Sequence, residues 1–173
     1  TDGGNSWNEI EDLAENFPYT FAFVKGSQLG FCSSKGKILK TLNNGDNWTV
    51  VYEDENQFFS EIFFINETIG FVATETELLK TVDGGLSWNS VFSGAVRDIS
   101  FVSSEIGFIA TDKGIFKTTN QGTDWVLNYH SEFIDFNTVA FQGLEFGVAA
   151  GHIMGTNFPN NKGYVVVTES QGD

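Results

Sequence analysis

The octapeptide Thr81-Val82-Asp83-Gly84-Gly85-Leu86-Ser87-Trp88 decides the reading of this chain, because it is one of three copies. TLNNGDNW occupies 41–48 and TTNQGTDW occupies 118–125, so that Thr41, Thr81 and Thr118 each stand seven residues before Trp48, Trp88 and Trp125. Asn43, Asp83 and Asn120 follow their threonines by two residues, and Gly45, Gly85 and Gly122 by four. The phrase suits a tight hairpin: short Asp, Asn and Thr side chains accept hydrogen bonds from the turn's own amides, and Gly takes the positive φ the turn needs. The Trp then covers the hairpin. Working outward, Asp2, Gly4 and Trp7 fit the frame at the start of the chain, and Thr168, Ser170 and Gly172 fit it at the end. The four tryptophans are 41, 40 and 37 residues apart.

A second register confirms the unit. The glycines of LGF, IGF, IGF and FGV, at 30, 70, 107 and 147, precede the next threonine of the repeated phrase by 11, 11, 11 and 21 residues. β-Branched and aromatic runs bounded by turn residues give four short strands per unit, clearest in VRDISFV, IGFIATD, GIFKTT and WVLNYH. No segment holds a helical period. Units of about 40 residues with four antiparallel strands are the size of one propeller blade. The expectation is an all-β protein, a β-propeller of four-stranded antiparallel blades in one domain, with approximate repeats 8–48, 49–88, 89–125 and 126–173. About four blades' worth of strands are present. Either WNEIEDL, from Trp7, closes a small four-bladed ring, or the chain is part of a larger propeller. Both ends fall inside a repeat, which favours the second.

The repeated phrase resembles the Asp-box, or BNR repeat, whose pattern is Ser/Thr-x-Asp-x-Gly-x-x-Trp. Thr81, Asp83, Gly85, Ser87 and Trp88 match it in full, while Asn43 and Asn120 replace its Asp in the other copies. The longer string, a Gly-aromatic strand followed by KT-x-DGG-x-SW, is similar to the bacterial repeat proteins related to the photosystem II assembly factor Ycf48. That resemblance implies a propeller that binds protein and catalyses nothing, with box residues serving the turn. Sialidases, xyloglucanases and sortilin receptors carry the same repeat, so the resemblance implies a fold more firmly than a role. Ycf48-type propellers are associated with an arginine-rich patch, whereas this chain has Arg97 alone, so the photosystem role is not carried over.

Composition narrows the role. The 173 residues carry a net charge of −14, which repels phosphate and argues against nucleic acid or an anionic membrane while leaving basic partners open. With 40% hydrophobic residues and 18 Phe the chain has ample core material, and FAFV, FFIN, SFV and AFQ are expected to pack blade on blade. No apolar run approaches the roughly 20 residues of a transmembrane helix, so no membrane insertion is expected. The opening TDGGNSW lacks the regions of a signal peptide. An extracytoplasmic or secreted home is nonetheless expected, from the family's habits and the acidic, Asn- and Thr-rich surface. Cys32 stands alone and reads as a small buried residue, and His130 and His152 have no metal-ligand spacing, so neither metal nor cofactor is expected.

Catalytic constellations are weak. One arginine excludes the cluster that holds a sialic carboxylate. Neutral glycoside hydrolysis needs two carboxylates across a cleft. The acid runs Glu9, Glu11, Asp12, Glu15 and Glu53, Asp54, Glu55 read instead as solvated charges of the blade-to-blade connections. The expected function is a non-catalytic module for a protein or glycan partner, with a xyloglucanase-like glycoside hydrolase as the alternative. The candidate binding surface follows from the ten extra residues between Gly147 and Thr168. They lengthen the hairpin between second and third strands, on the face shared with the blade-to-blade connections and opposite the box turns. His152, Met154, Asn157, Phe158, Pro159 and Tyr164 are its candidate contacts.

Overall fold

A computed structural model describes residues 5, 6, 10, 13, 17–143, 145–153 and 163–168. They form four antiparallel sheets, each a meander in chain order. The first contains β1 (Thr20–Phe23), β2 (Gly30–Thr41) and β3 (Thr49–Phe58); the second β4 (Glu61–Phe64), β5 (Gly70–Ala73), β6 (Glu77–Thr81) and β7 (Asn89–Ser93). The third contains β8 (Val96–Phe101), β9 (Gly107–Thr111), β10 (Gly114–Thr118) and β11 (Val126–Tyr129); the fourth β12 (Ile134–Gln142), β13 (Phe146–Ile153) and β14 (Gly163–Thr168). β2 is itself a hairpin. Twelve extended residues would part their ends by roughly 35 Å, yet a Cβ placed on Gly30 would lie 3.0 Å from Cγ2 of Thr41. The chain doubles back at Gly36, at φ +68°.

The expected strand order therefore holds, and the first strands β1, β4, β8 and β12 pack in succession. Between successive sheets lies apolar filling. Phe31 and Ile38 meet Ile62, Phe64, Val72 and Leu79; Phe71 and Leu78 meet Ile99 and Ile109; Phe108 and Ile115 meet Phe136, Val139 and Ala149. The second-strand phenylalanine of each of the first three sheets lies on a first-strand phenylalanine of the next. Ring centroids are 3.6 Å apart for Phe31 and Phe64, 5.3 Å for Phe71 and Phe101, and 3.8 Å for Phe108 and Phe141. The glycine before that residue is required by packing: a Cβ would fall 2.5 Å from the Phe64 ring at Gly70 and 2.7 Å from the Phe101 ring at Gly107. The phenylalanines of FFIN, SFV and AFQ therefore pack sheet on sheet as expected, whereas Phe21 and Phe23 of FAFV are exposed.

The repeated turns are built as their chemistry demands. The amide of Gly85 donates to Oγ1 of Thr81 at 3.0 Å, and the Thr81 hydroxyl donates to Oδ1 of Asp83 at 2.8 Å. Oδ1 of Asp83 also accepts from the amides of Leu86 and Ser87, at 3.0 and 2.9 Å, and Oδ2 accepts from the Ser87 hydroxyl at 2.5 Å. These bonds, the Ser87 hydroxyl foremost, pull the Asp83 carboxyl down to about 2. Thr41, Asn43 and Gly45 repeat the pattern, as do Thr118, Asn120 and Gly122. Asn120 brings a donor that Asp83 lacks, and the acid moves four residues on, where Oδ2 of Asp124 accepts from Nδ2 of Asn120 at 2.9 Å. The indoles of Trp48 and Trp88 donate to the carbonyls of Gly45 and Gly85 at 2.9 and 3.1 Å, whereas buried Nε1 of Trp125 has no partner among the described residues. Asp2, Gly4 and Trp7 lie outside the described residues.

One expectation is corrected. Glu53, Asp54 and Glu55 fall within β3 (Thr49–Phe58) rather than after it, although only Glu53 keeps a ladder partner before the register breaks and resumes at Phe58. Glu53 pairs with Lys37 across the ladder, and Nζ of Lys37 lies 3.5 Å from its carboxylate, a surface ion pair of opposite charges. Glu53 and Glu55 are exposed, so their reading as solvated charges stands.

Candidate functional site

The box turns are tied to the loop between first and second strands of their own sheet. The amides of Asn44, Gly84 and Gln121 donate to the carbonyls of Gln28, Thr68 and Glu105. That end of the first three sheets is thus closed by structural hydrogen bonds. Polar side chains with other work gather at the opposite end, where the first strands begin.

Two bulges create the site. In β8, Val96 pairs with Thr111 and Asp98 with Ala110, so Arg97 is an extra residue without a ladder partner. In β12, Phe136 pairs with Gly151 and Thr138 with Ala150, leaving Asn137 in the same position. A bulge re-aims the extra side chain. Arg97 and Asn137 both line a cavity of about 450 Å³, with Ser60, Thr74, Glu75, Ala95 and Val96. Gly151 answers the second bulge, since a Cβ there would run into the Asp135 carbonyl.

Arg97 is held in place. Its Nη2 donates to Oδ2 of Asp135 at 2.7 Å, and Asp135 is only 3% exposed. Oδ1 of the same carboxylate is buried without a partner among the described residues. His152 faces it, with Nε2 3.8 Å from Oδ2, while Nδ1 of His152 lies 3.1 Å from Nδ2 of Asn137. Nearby, Oδ2 of Asp98 accepts from the Thr138 hydroxyl at 2.6 Å and the Val139 amide at 2.8 Å, clipping β12 to β8 beyond the bulge. Glu61 opens β4 beside this group. Burial, with the Asp98 carboxylate as a second cause, pushes the Glu61 carboxyl up to about 7.

Of the residues expected from the sequence, His152 joins this cluster. Tyr164 pairs with Gly151 and lines a separate cavity of about 270 Å³ with Ser131, Phe133, Ile134 and Ile153. A connection residue, Phe133, and a hairpin residue thus meet on one face. Met154, Asn157, Phe158 and Pro159 lie outside the described residues. His130 is exposed after β11, and burial pushes the Cys32 thiol up to about 11. Among the described residues no three His, Cys, Asp or Glu side chains gather as metal ligands. No described helix is long and apolar enough to cross a membrane.

Arg97, Asp98, Asp135 and Asn137 escape a reading that looks for acids in loops. A signal for them exists. Val96 and Ile99 are both buried, as are Phe136 and Val139, at spacings of three where strict strand alternation requires two. The odd spacing marks the bulges.

No protein-family model matches the chain, and no curated protein matches it in sequence. Solved structures do. An ancestral GH74 enzyme superposes with a TM-score of 0.73 at 16% identity over 90% of this chain. YCF48 bound to D1 peptide gives 0.60 at 17% over 86%, and YCF48 from Cyanidioschyzon merolae 0.65 at 19% over 83%. The chain spans 24% of the first of these proteins and 53% and 52% of the others. At such identities the likeness concerns the fold, and the four sheets are β-propeller blades.

Proposed function

We propose that this chain is a non-catalytic segment of an Asp-box (BNR) propeller, and that it holds an extended peptide of a protein partner at the face opposite the box turns. The observation that carries the reading is Arg97. It is the one guanidinium in a chain of net charge −14, anchored by buried Asp135 and aimed by a bulge into a cavity it shares with Asn137, Ser60 and Thr74. A side-chain amide, two hydroxyls and a guanidinium match the donors and acceptors of a peptide backbone and an acidic side chain or terminus. YCF48, similar in fold, has been solved with a peptide bound. The acidic surface around the site favours a peptide that is otherwise basic. The same proposal includes a protein set outside the cytoplasm and a ring completed by further blades.

Glycoside hydrolysis is the second reading, favoured by the similarity to GH74 enzymes and by a Glu61 carboxyl near neutrality beside Asp98. Against it, the Asp98 carboxylate is occupied by Ile99, Thr138 and Val139.

Selection from a displayed random-peptide library tests the proposal. Wild-type protein should enrich a peptide family, and Arg97→Ala should weaken it roughly ten- to a hundredfold, as loss of a charged hydrogen bond implies. Asp46→Asn, on the box-turn face, should not. Equal binding by Arg97→Ala, or enrichment on a glycan array instead, would overturn the peptide site; turnover of xyloglucan abolished by Glu61→Gln would favour the enzyme.

A further inference from the structure

Asp135 and His152 are direct partners across the β12–β13 ladder, so their side chains leave the same face of the fourth sheet. Arg97 of the third sheet reaches that face, with its Nη2 on Oδ2 of Asp135. The three side chains therefore meet at an interface internal to the fold. Asp135 keeps a place open there: Oδ2 serves Arg97, while buried Oδ1 has no hydrogen-bond partner among the described residues. A carboxylate accepts at both oxygens, and a buried acceptor left unmade is costly, so this one is set to take a second donor. His152 stands at hand, with Nε2 3.8 Å from Oδ2, beyond hydrogen-bond reach but close enough for an ion pair. Its side chain is 53% exposed and so exchanges protons with solvent.

Imidazole is the side chain that ordinarily changes charge between about pH 5 and 8. The charged and titratable side chains on the elements around His152 and Asp135 are Arg97 and Asp98 on β8, Asp112 and Lys113 after β9, His130 and Glu132 before β12, and Tyr164 on β14; Glu75 lines the cavity with Arg97. Glu61, raised by burial to about 7, also takes a proton in this range, and its effect has the same sign. An imidazolium donates from both nitrogens. Nε2 then supplies the donor that Asp135 lacks. Asn137, whose Nδ2 lies 3.1 Å from Nδ1, has to present its carbonyl oxygen to the ring and turn its NH2 away from it. The guanidinium and the imidazolium repel, and the shared carboxylate lets both charges stand together. Divided between two cations, Asp135 neutralises Arg97 less toward the cavity that Arg97 lines.

We propose that His152 is a proton switch on the Arg97 site: protonated, it strengthens the hold on an acidic group of the bound peptide, and neutral, it lets that group go. The switch stands on the geometry of Asp135, His152 and Arg97; its ligand rests on the peptide reading given above.

Nuclear magnetic resonance on the full chain without ligand reads the switch by itself. Between about pH 5 and 8 the imidazole of His152 and the Nε–H of Arg97 should shift with one shared midpoint. The Arg97 shift should survive in Glu61→Gln and vanish when His152→Gln is added to it. His130, exposed after β11, is the other histidine of the chain and gives the reference titration. Peptides selected by the wild-type protein in mild acid from a displayed random library then read the consequence. They should carry an acidic residue or terminus and bind roughly tenfold more weakly at the alkaline end of the range. Glu61→Gln should keep most of that change, and the double variant should be flat. Separate midpoints for His152 and Arg97, or selected peptides whose wild-type affinity ignores pH, would overturn the switch and leave the peptide reading standing. A shared midpoint without any enriched peptide would uphold the proton link and overturn the peptide reading instead.

Discussion

Nζ of Lys80 lies 3.0 Å from the hydroxyl of Thr123 in the next sheet, with its ammonium 5.9 Å from the centre of the Phe71 ring. Lys40 does the same one sheet earlier, reaching the Gly84 carbonyl at 3.2 Å from above Phe31. Lys40 and Lys80, each standing before a box threonine, therefore tie their sheets to the box turn of the following one. Burial lowers the proton affinity of Lys80, so its hydrogen bond and ring contact must offset a desolvation cost. Lys80→Met keeps the apolar stem and removes the tie; it should lower unfolding free energy by about 1–2 kcal/mol. Lys113→Met, on an exposed turn, should change nothing, and urea titrations compare the two.

Thr81 is fully buried, and its hydroxyl accepts from the amides of Asp83 and Gly85. Thr81→Val preserves shape and leaves those donors without an acceptor. The expected loss is about 1–3 kcal/mol in chemical denaturation, with peptide binding unchanged. A variant of wild-type stability would mean that the turn is held by something other than the box.

Box glycines answer to two demands. Gly122 has φ +71°, and a Cβ there would also strike the Phe71 ring of the preceding sheet. Gly26 has φ +80° with open space around it. Gly122→Ala should therefore cost about 2–4 kcal/mol and Gly26→Ala about 1 kcal/mol, strain alone separating from strain plus overpacking. Thermal melts of both variants check the ordering.

Much of this fold was legible in the sequence because local chemistry and packing agree. Thr81, Asp83 and Gly85 make their turn from their own side chains, and Gly70 and Gly107 recur at fixed distance because a phenylalanine covers each. The site was less legible. Arg97 and Asn137 acquire their directions from bulges, and the pairing of Arg97 with Asp135 joins residues 38 apart on different sheets. Acid runs misled for the same reason: Glu53 is placed by Lys37 across the ladder, which composition cannot reveal. His152 was found as a hairpin residue, but its partners were not.

Glu61 gives stability a pH dependence of known sign. Its carboxyl is raised from the ordinary 4.5 to about 7, so the folded state favours the proton. Below about 4.5 both states are protonated and no penalty exists; it grows between 4.5 and 7 and is complete above. Glu61→Gln should thus raise stability at pH 8, by at most about 3 kcal/mol, and leave it unchanged at pH 4. Asp83 acts oppositely: its depressed carboxyl contributes stability above about 3.8 that is lost as the pH falls toward 2.

The central claim is that recognition occurs where the first strands begin, around Arg97. Backbone amide chemical shifts, followed while a selected peptide is titrated in, test it most directly. The account predicts the largest changes at Thr74, Arg97, Asn137 and His152, and none at Asn44, Asp83 or Gln121. Changes confined to those three turns, with the Arg97 cavity silent, would contradict it.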